Sequence, residues 1–163
     1  MKTKTILITG GESGVGAATA RALAAQGHRV LFTCREAEDG AQLCTDITTA
    51  FPRAMVKSYS LDLASFSSIR LLADKLQREY NQIDVLINNA SLAPLTKQKT
   101  RDGFELQFGA NYLGHFLFTQ LLLDVLNEAG RARIVHTSSM MHWLGGVDFG
   151  SFRGDKFYDP IRA

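Results

Sequence analysis

Cysteine, proline and tryptophan are scarce in this chain, at two, three and one among 163 residues. The two cysteines, Cys34 and Cys44, have no CxxC spacing and no histidine cluster around them, which excludes a disulfide scaffold and a thiolate metal site. They read as reduced thiols. No charge of one sign dominates either: 18 basic against 16 acidic side chains leave +2, too balanced for a nucleic-acid surface or a polybasic membrane patch. No apolar stretch has the length and purity of a membrane span, and Lys2 and the first strand follow Met1 at once, leaving no room for a signal sequence. Repeats, low-complexity tracts and linkers are absent. What remains is 45% hydrophobic and 21% charged residues, enough for a core and a soluble surface, so one cytoplasmic globular domain spanning 1–163 is expected.

Apolar runs with the character of buried parallel strands occur at Thr5 to Thr9, Arg29 to Thr33, Met55 to Ser60, Asp84 to Asn88 and Arg133 to Thr137. Helical patterns separate them, from Val15 to Gln26, Glu38 to Phe51, Ser67 to Tyr80 and Gly103 to Glu128. Gly27, Pro52 and Gly130 mark helix ends, and Ser65 and Ser68 offer caps to the third helix. Strict alternation with right-handed crossovers predicts an α/β fold, a doubly wound parallel sheet of Rossmann type. From Met140 onward neither period survives, and glycine and aromatics predict a long loop. The fifth strand is expected at a sheet edge with Ile134 and Val135 unprotected, and the domain reads as incomplete on its C-terminal side. A second copy or a complementing chain could cover that surface.

Chemistry begins at Thr9-Gly10-Gly11-Glu12-Ser13-Gly14-Val15-Gly16, between the first strand and an alanine-rich helix. Gly10 permits a tight bend, Gly14 lets backbone approach a phosphate, and Gly16 lets the helix pack near the strand. The helix amides and dipole favour negative charge there, so a dinucleotide pyrophosphate is the expected ligand. A P-loop is disfavoured, because Ala17 and Ala18 stand where Lys and Ser/Thr are required. Arg35 follows the second strand, where such folds meet the adenosine ribose. A guanidinium suits a 2′-phosphate there, whereas NAD sites want a carboxylate, so NADP is expected over NAD, although Glu36 is its neighbour.

Asn88 and Asn89 end a buried strand, where amides need a loop or a ligand to bond. Asn111 lies in an apolar helix between Gly109 and Gly114, where its amide or a loosened turn could bond water or substrate. Ser138 and Ser139 stand at the carboxyl end of the fifth strand, where ligands dock in doubly wound folds. No Ser-His-acid arrangement makes either a nucleophile. His28, His115, His136 and His142 are scattered without carboxylate or thiol spacing, so no metal is expected; solvated or packed histidines are the ordinary reading, with only His142 a candidate to face a substrate.

The turn resembles the Thr-Gly-x-x-x-Gly-x-Gly pattern of the short-chain dehydrogenase/reductase family. Further ordered segments resemble the same family: Asp62-Leu63, Asn88-Asn89-Ala90, Asn111-Tyr112-Leu113-Gly114-His115-Phe116 and Ile134 to Ser139. Cys34-Arg35 and Lys156-Phe157-Tyr158 resemble its retinol-dehydrogenase-like and protochlorophyllide-reductase-like branch. The resemblance implies an oxidoreductase interconverting a small-molecule carbonyl and alcohol. It implies that Gly10, Ser13, Gly14, Val15 and Gly16 hold the pyrophosphate, Arg35 the 2′-phosphate, and Asp62 with Leu63 the adenine. Asn89 and Ala90 would lie near the nicotinamide ribose, and Ser139 with Asn111 at the reacting centre. Ser91 replaces the family's glycine, so that turn must accept a Cβ.

In that family a tyrosine exchanges the substrate proton and a lysine four residues later lowers its pKa. An unassisted phenol titrates near about 10, too high for efficient proton transfer at neutral pH. No Tyr-x-x-x-Lys follows Ser139. Tyr158 has Arg162 at the right offset, but Pro160 forbids a regular helix between them and arginine cannot tune by losing a proton. The reading is therefore an NADP-binding fragment, truncated before the catalytic tyrosine and inactive alone. The alternative is a non-catalytic nucleotide-binding or interaction module, or a truncated gene product.

Overall fold

The structure, a computed structural model, describes residues 2–12, 14–143 and 149–154, without the side chains of Met141 and His142. Ser13, Lys156-Phe157-Tyr158 and Arg162 lie outside the described residues, as does the His142 side chain. Five strands form one parallel sheet: β1 (Thr5–Ile8), β2 (Arg29–Cys34), β3 (Met55–Ser60), β4 (Val85–Asn88) and β5 (Arg133–His136). Their order is β3-β2-β1-β4-β5. The chain therefore builds outward from β1 to β3, returns to place β4 on the other side of β1, and continues to β5. The reversal between β1 and β4 opens a crevice at the carboxyl ends of the strands, where such sheets bind ligands.

Both faces of the sheet are covered, which explains why the strands read as apolar runs. Ile6 and Ile8 of β1, with Val30 and Phe32 of β2, pack against Ala20, Ala24, Leu43 and Ile47 from α1 (Gly14–Ala25) and α2 (Ala37–Ala50). Leu7, Leu31 and Leu86 point to the opposite face. There they meet Ile69, Leu72 and Leu76 of α3 (Phe66–Glu79), Phe118 of α4 (His115–Leu121), and Val125 and Leu126 of α5 (Leu123–Asn127). The period-two alternation of a strand places Ile6 and Leu7 in different cores.

Strand positions and the first three helices agree with the sequence expectation to within a residue or so at each end. Ser65 caps α3, its hydroxyl oxygen accepting from the Ser68 amide. The fourth helical pattern is corrected. Instead of one helix from Gly103, the segment opens with a π-helical turn, Phe108–Gly114, continues as α4, and breaks at Leu122 before α5. Glu105 starts it: its buried carboxylate accepts from the amides of Gln107 (2.9 Å) and Phe108 (2.8 Å), satisfying donors that a helix start leaves open. The described residues of the expected loop after Met140 include regular structure. Met140–Trp143 forms a 3₁₀ turn, and Phe152 returns to stack on Phe108 at 4.2 Å while its carbonyl accepts from the Glu105 amide.

β5 is an edge strand, with Ile134 40% and Val135 45% exposed. No helix among the described residues is long and apolar enough to cross a membrane.

Candidate functional site

The glycine turn is anchored from both neighbouring strands. Thr9 N–H donates to the Ile87 carbonyl of β4, and Gly11 N–H to the Thr33 carbonyl of β2, each at 2.9 Å. Gly10 has φ of +62°, and a Cβ there would lie 2.8 Å from Ala90 Cα. Gly16 faces the same turn from inside α1: its Cβ would meet the Gly10 carbonyl oxygen at 2.0 Å and Asn89 Nδ2 at 2.8 Å. Both glycines are thus fixed by packing within the protein. Gly14 differs, because at φ +51° its Cβ would meet nothing within 4 Å.

That open side fits a phosphate group. Gly14 is the first residue of α1, whose leading amides lack carbonyl partners within the helix, and no acidic residue stands in its first turn. Val15 is exposed beside it. The residues present therefore match the demands of a dinucleotide pyrophosphate. One acidic group lies close by: Glu12 Oε2 is buried without a hydrogen-bond partner among the described residues. Together with burial, which is the larger cause, that carboxylate pushes the Cys34 thiol at the end of β2 up to about 11.

Along the same rim, Arg35 is exposed and its Nε lies 3.7 Å from Glu36 Oε1. After β3, Asp62 Oδ1 accepts from the Ala64 amide at 2.9 Å, and Oδ2 lies 3.7 Å from Arg101 Nε. Leu63 adjoins the π-turn, where a Cβ on Gly114 would stand 2.5 Å from the Leu63 carbonyl oxygen. Arg35, Asp62 and Leu63 therefore follow the carboxyl ends of β2 and β3, on the same rim as the glycine turn.

The remaining candidates meet in a cavity of about 160 Å³ beyond β4 and β5. Asn89, Ala90, Ser91, Asn111 and His115 line it together with Ser139, which follows β5. Asn89 is held by the turn, its Nδ2 donating to the carbonyls of Thr9 and Gly10 at 3.0 Å each. Asn111 uses its amide on the protein: Oδ1 accepts from Leu92 N–H at 3.0 Å and Nδ2 donates to the Leu92 carbonyl at 2.8 Å. The side chain thus clamps the loop after β4, and Asn111 lies within the π-helical turn Phe108–Gly114.

Asn88, at the end of β4, donates from Nδ2 to Thr119 Oγ1 (2.9 Å) and to His136 Nδ1 (3.2 Å), while its buried Oδ1 has no partner among the described residues. His115 also sits in this polar layer. Its Nδ1 is 2.7 Å from the Asn111 carbonyl and its Nε2 is 2.8 Å from Thr9 Oγ1. Burial holds this imidazole below its usual pKa; His136 adds to that, and the Asn111 carbonyl opposes it. Sequence reasoning did not single out Thr9, Thr119 or His115 for the site. The spacing of His115 four residues after Asn111, one helical turn, allows the Nδ1 contact but says nothing of Thr9, 106 residues away. Among the described residues no group of three or more metal-ligating side chains occurs.

The family model for short chain dehydrogenases matches residues 4–153. The chain belongs to the short-chain dehydrogenase family. Human retinol dehydrogenase 11 is 42% identical over 156 residues, covering 96% of this chain and 49% of that protein. Mouse retinol dehydrogenase 13 is 43% identical, covering 98% and 48%. The chain thus spans about half the length of these relatives, in their retinol-dehydrogenase-like branch. Among solved structures, an uncharacterised protein of Mycobacterium paratuberculosis superposes with a TM-score of 0.82 at 37% identity, covering 97% of this chain and 55% of its own. A metagenomic short-chain oxidoreductase in complex with NADP gives 0.74 at 26% identity, covering 84% and 62%.

Proposed function

We propose that this chain binds NADP across the carboxyl rim of its sheet and supplies the nucleotide half of a carbonyl–alcohol oxidoreductase site. The observation that carries the reading is Gly14, a left-handed glycine with open space above it at the start of α1, bracketed by Gly10 and Gly16 that packing holds in place. The α1 amides at Gly14, Val15 and Gly16 would receive the pyrophosphate, and Arg35 would pair with the 2′-phosphate once drawn from Glu36. Asp62 and Leu63 would border the adenine, with Asn89 and Ala90 beside the nicotinamide ribose. NADP, when bound, supplies or accepts the hydride.

Ser139 would donate a hydrogen bond to the carbonyl oxygen of a small-molecule substrate in the cavity it shares with Asn111. Asn111 would act by holding the Leu92 loop as one wall of that cavity. These 163 residues contain no Tyr-x-x-x-Lys after Ser139, so the proton of the reaction lacks its tuned phenol and the chain alone is expected to bind nucleotide without turnover. Titration of the whole chain with NADPH, followed by nucleotide fluorescence, tests the reading. Arg35→Ala is expected to weaken NADPH about tenfold and leave NADH within about twofold. Equal effects on both nucleotides would remove Arg35 from the 2′-phosphate, and absence of binding to either would sink the nucleotide site.

A further inference from the structure

The His115 side chain bridges the π-turn and the glycine turn, and its protonation state follows from its partners. A carbonyl oxygen can only accept, so Nδ1, at 2.7 Å from the Asn111 carbonyl, carries the hydrogen. In the neutral ring Nε2 then bears a lone pair, and the Thr9 hydroxyl at 2.8 Å must donate to it. With its single proton committed, Thr9 Oγ1 accepts from two backbone amides, Asn89 N–H at 2.9 Å and Ala90 N–H at 3.0 Å. Every valence in the chain is used once: Asn111 carbonyl, imidazole, threonine hydroxyl, two amides.

We propose that His115 is a positioning residue whose neutral Nδ1–H form orients the Thr9 hydroxyl, and through it sets the loop Asn89-Ala90 against the glycine turn where the nucleotide would lie. The linkage reaches further, because Asn89 Nδ2 grips the Thr9 and Gly10 carbonyls, and the Gly10 carbonyl is the atom against which Gly16 packs. A second proton on Nε2 would face an oxygen whose lone pairs already accept two amides. The Thr9 proton would have to turn to the Ile87 carbonyl at 3.5 Å, too long for a strong bond, and one amide would lose its acceptor. The imidazole's hydrogen-bond partners are Thr9, which follows β1, and Asn111 of the π-turn, both uncharged; the uncharged Asn88 and Asn89 line the same cavity, and the titratable group acting on the ring is His136 of β5.

The sign follows from the lowered pKa. The folded protein prefers the neutral ring, so the positioning is complete above the ordinary histidine range and is lost as pH falls below it. The claim about the two turns stands on hydrogen-bond geometry alone, and its consequence for ligand rests on the proposed NADP site.

Long-range ¹H–¹⁵N correlation spectra of the whole chain, recorded from about pH 8 to about pH 5, test it. The expected result is an Nδ1–H tautomer near neutrality, with the Asn89 and Ala90 amide signals moving at the His115 midpoint. His115→Gln keeps an acceptor for Thr9 without a titratable ring, so in that variant the two amides should stop following pH. NADPH affinity of the native chain should fall about fivefold as pH drops through the His115 midpoint, against at most about twofold in His115→Gln over the same range. An Nε2–H tautomer, amides indifferent to the titration, or equal losses in both proteins would overturn the proposal. Should the variant fail to fold, the tautomer and the native amide titration decide alone. If the amides follow His115 while no NADPH binds at any pH, the nucleotide reading falls and the positioning role stands.

Discussion

A Cβ on Gly16 would lie 2.0 Å from the carbonyl oxygen of Gly10, closer than any two unbonded heavy atoms can stand. The second atom it would meet, Asn89 Nδ2 at 2.8 Å, already donates to that same carbonyl. Helix and turn are therefore pressed together through a hydrogen bond. Gly16→Ala should push α1 away from the turn and destabilise the chain by about 1–3 kcal/mol, the range for overpacking. Gly14→Ala meets no atom and strains only the backbone, so urea denaturation should show the smaller loss for Gly14→Ala; the reverse order would refute this packing account.

Thr9→Val keeps the shape of the side chain and removes the oxygen on which Asn89 N–H and Ala90 N–H converge. Two half-buried donors lose their acceptor, and a destabilisation of about 1–3 kcal/mol is expected at neutral pH. Equilibrium unfolding with an unchanged denaturant slope is the measurement, and a loss below about 0.5 kcal/mol would refute the account.

Asn111→Ala removes both bonds to the Leu92 backbone. Hydrogen exchange at the Leu92 amide should accelerate by at least about tenfold, while the core amide of Leu31 should change little. An unchanged Leu92 rate would show that the loop after β4 does not depend on this clamp.

Glu79 accepts from Tyr59 Oη at 2.6 Å and Lys57 Nζ at 2.8 Å, and its carboxyl is held below the ordinary carboxylate range, chiefly by the Lys57 bond. A depressed folded pKa contributes stability above the unfolded value that is lost as pH falls through it toward the folded one. Glu79→Gln should therefore flatten the stability profile below about pH 5 and leave its neutral-to-acid slope unchanged above that point. Tyr59 behaves oppositely, since burial and then the Glu79 bond raise its phenol.

The two thiols should separate under Ellman's reagent. Burial raises Cys34 to about 11 and leaves little thiolate, whereas Cys44 is only half-buried on α2. One thiol should react readily in the native chain and the other only on unfolding, with Cys34→Ser removing the slow one. A native Cys34 that reacts as fast as Cys44 would contradict its burial.

Much of the frame was legible because buried parallel strands announce themselves as short apolar runs, and Gly27, Pro52 and Gly130 close the helices between them. Ser65 was legible as a cap for the same local reason. The segment from Gly103 to Asn127 was not, since hydrophobic periodicity records which face is buried and does not record a π-turn. That turn answers to tertiary contact: Gly109 sits where a Cβ would be 2.3 Å from Thr100 Cγ2, and Gly114 against the Leu63 carbonyl. The candidate positions that sequence could name were the glycine turn, Asn89 and Ser139, where residue type and strand end coincide, and the structure brings Asn89 and Ser139 to one cavity. Thr9 and His115 were hidden, because they are distant in sequence and ordinary in type, and only the fold brings their hydroxyl and ring together.

The candidate site residues follow the carboxyl ends of the strands, and among the described residues the opposite rim carries the turns around Gly27, Pro52 and Gly130 and the connection from Tyr80 to Asp84, which feed β2, β3, β5 and β4. For protein engineering that asymmetry is a map. A fluorophore or affinity handle inserted at Gly130, where a Cβ would meet nothing within 4 Å, enters at the rim opposite the glycine turn. It can report on the chain without entering its chemistry.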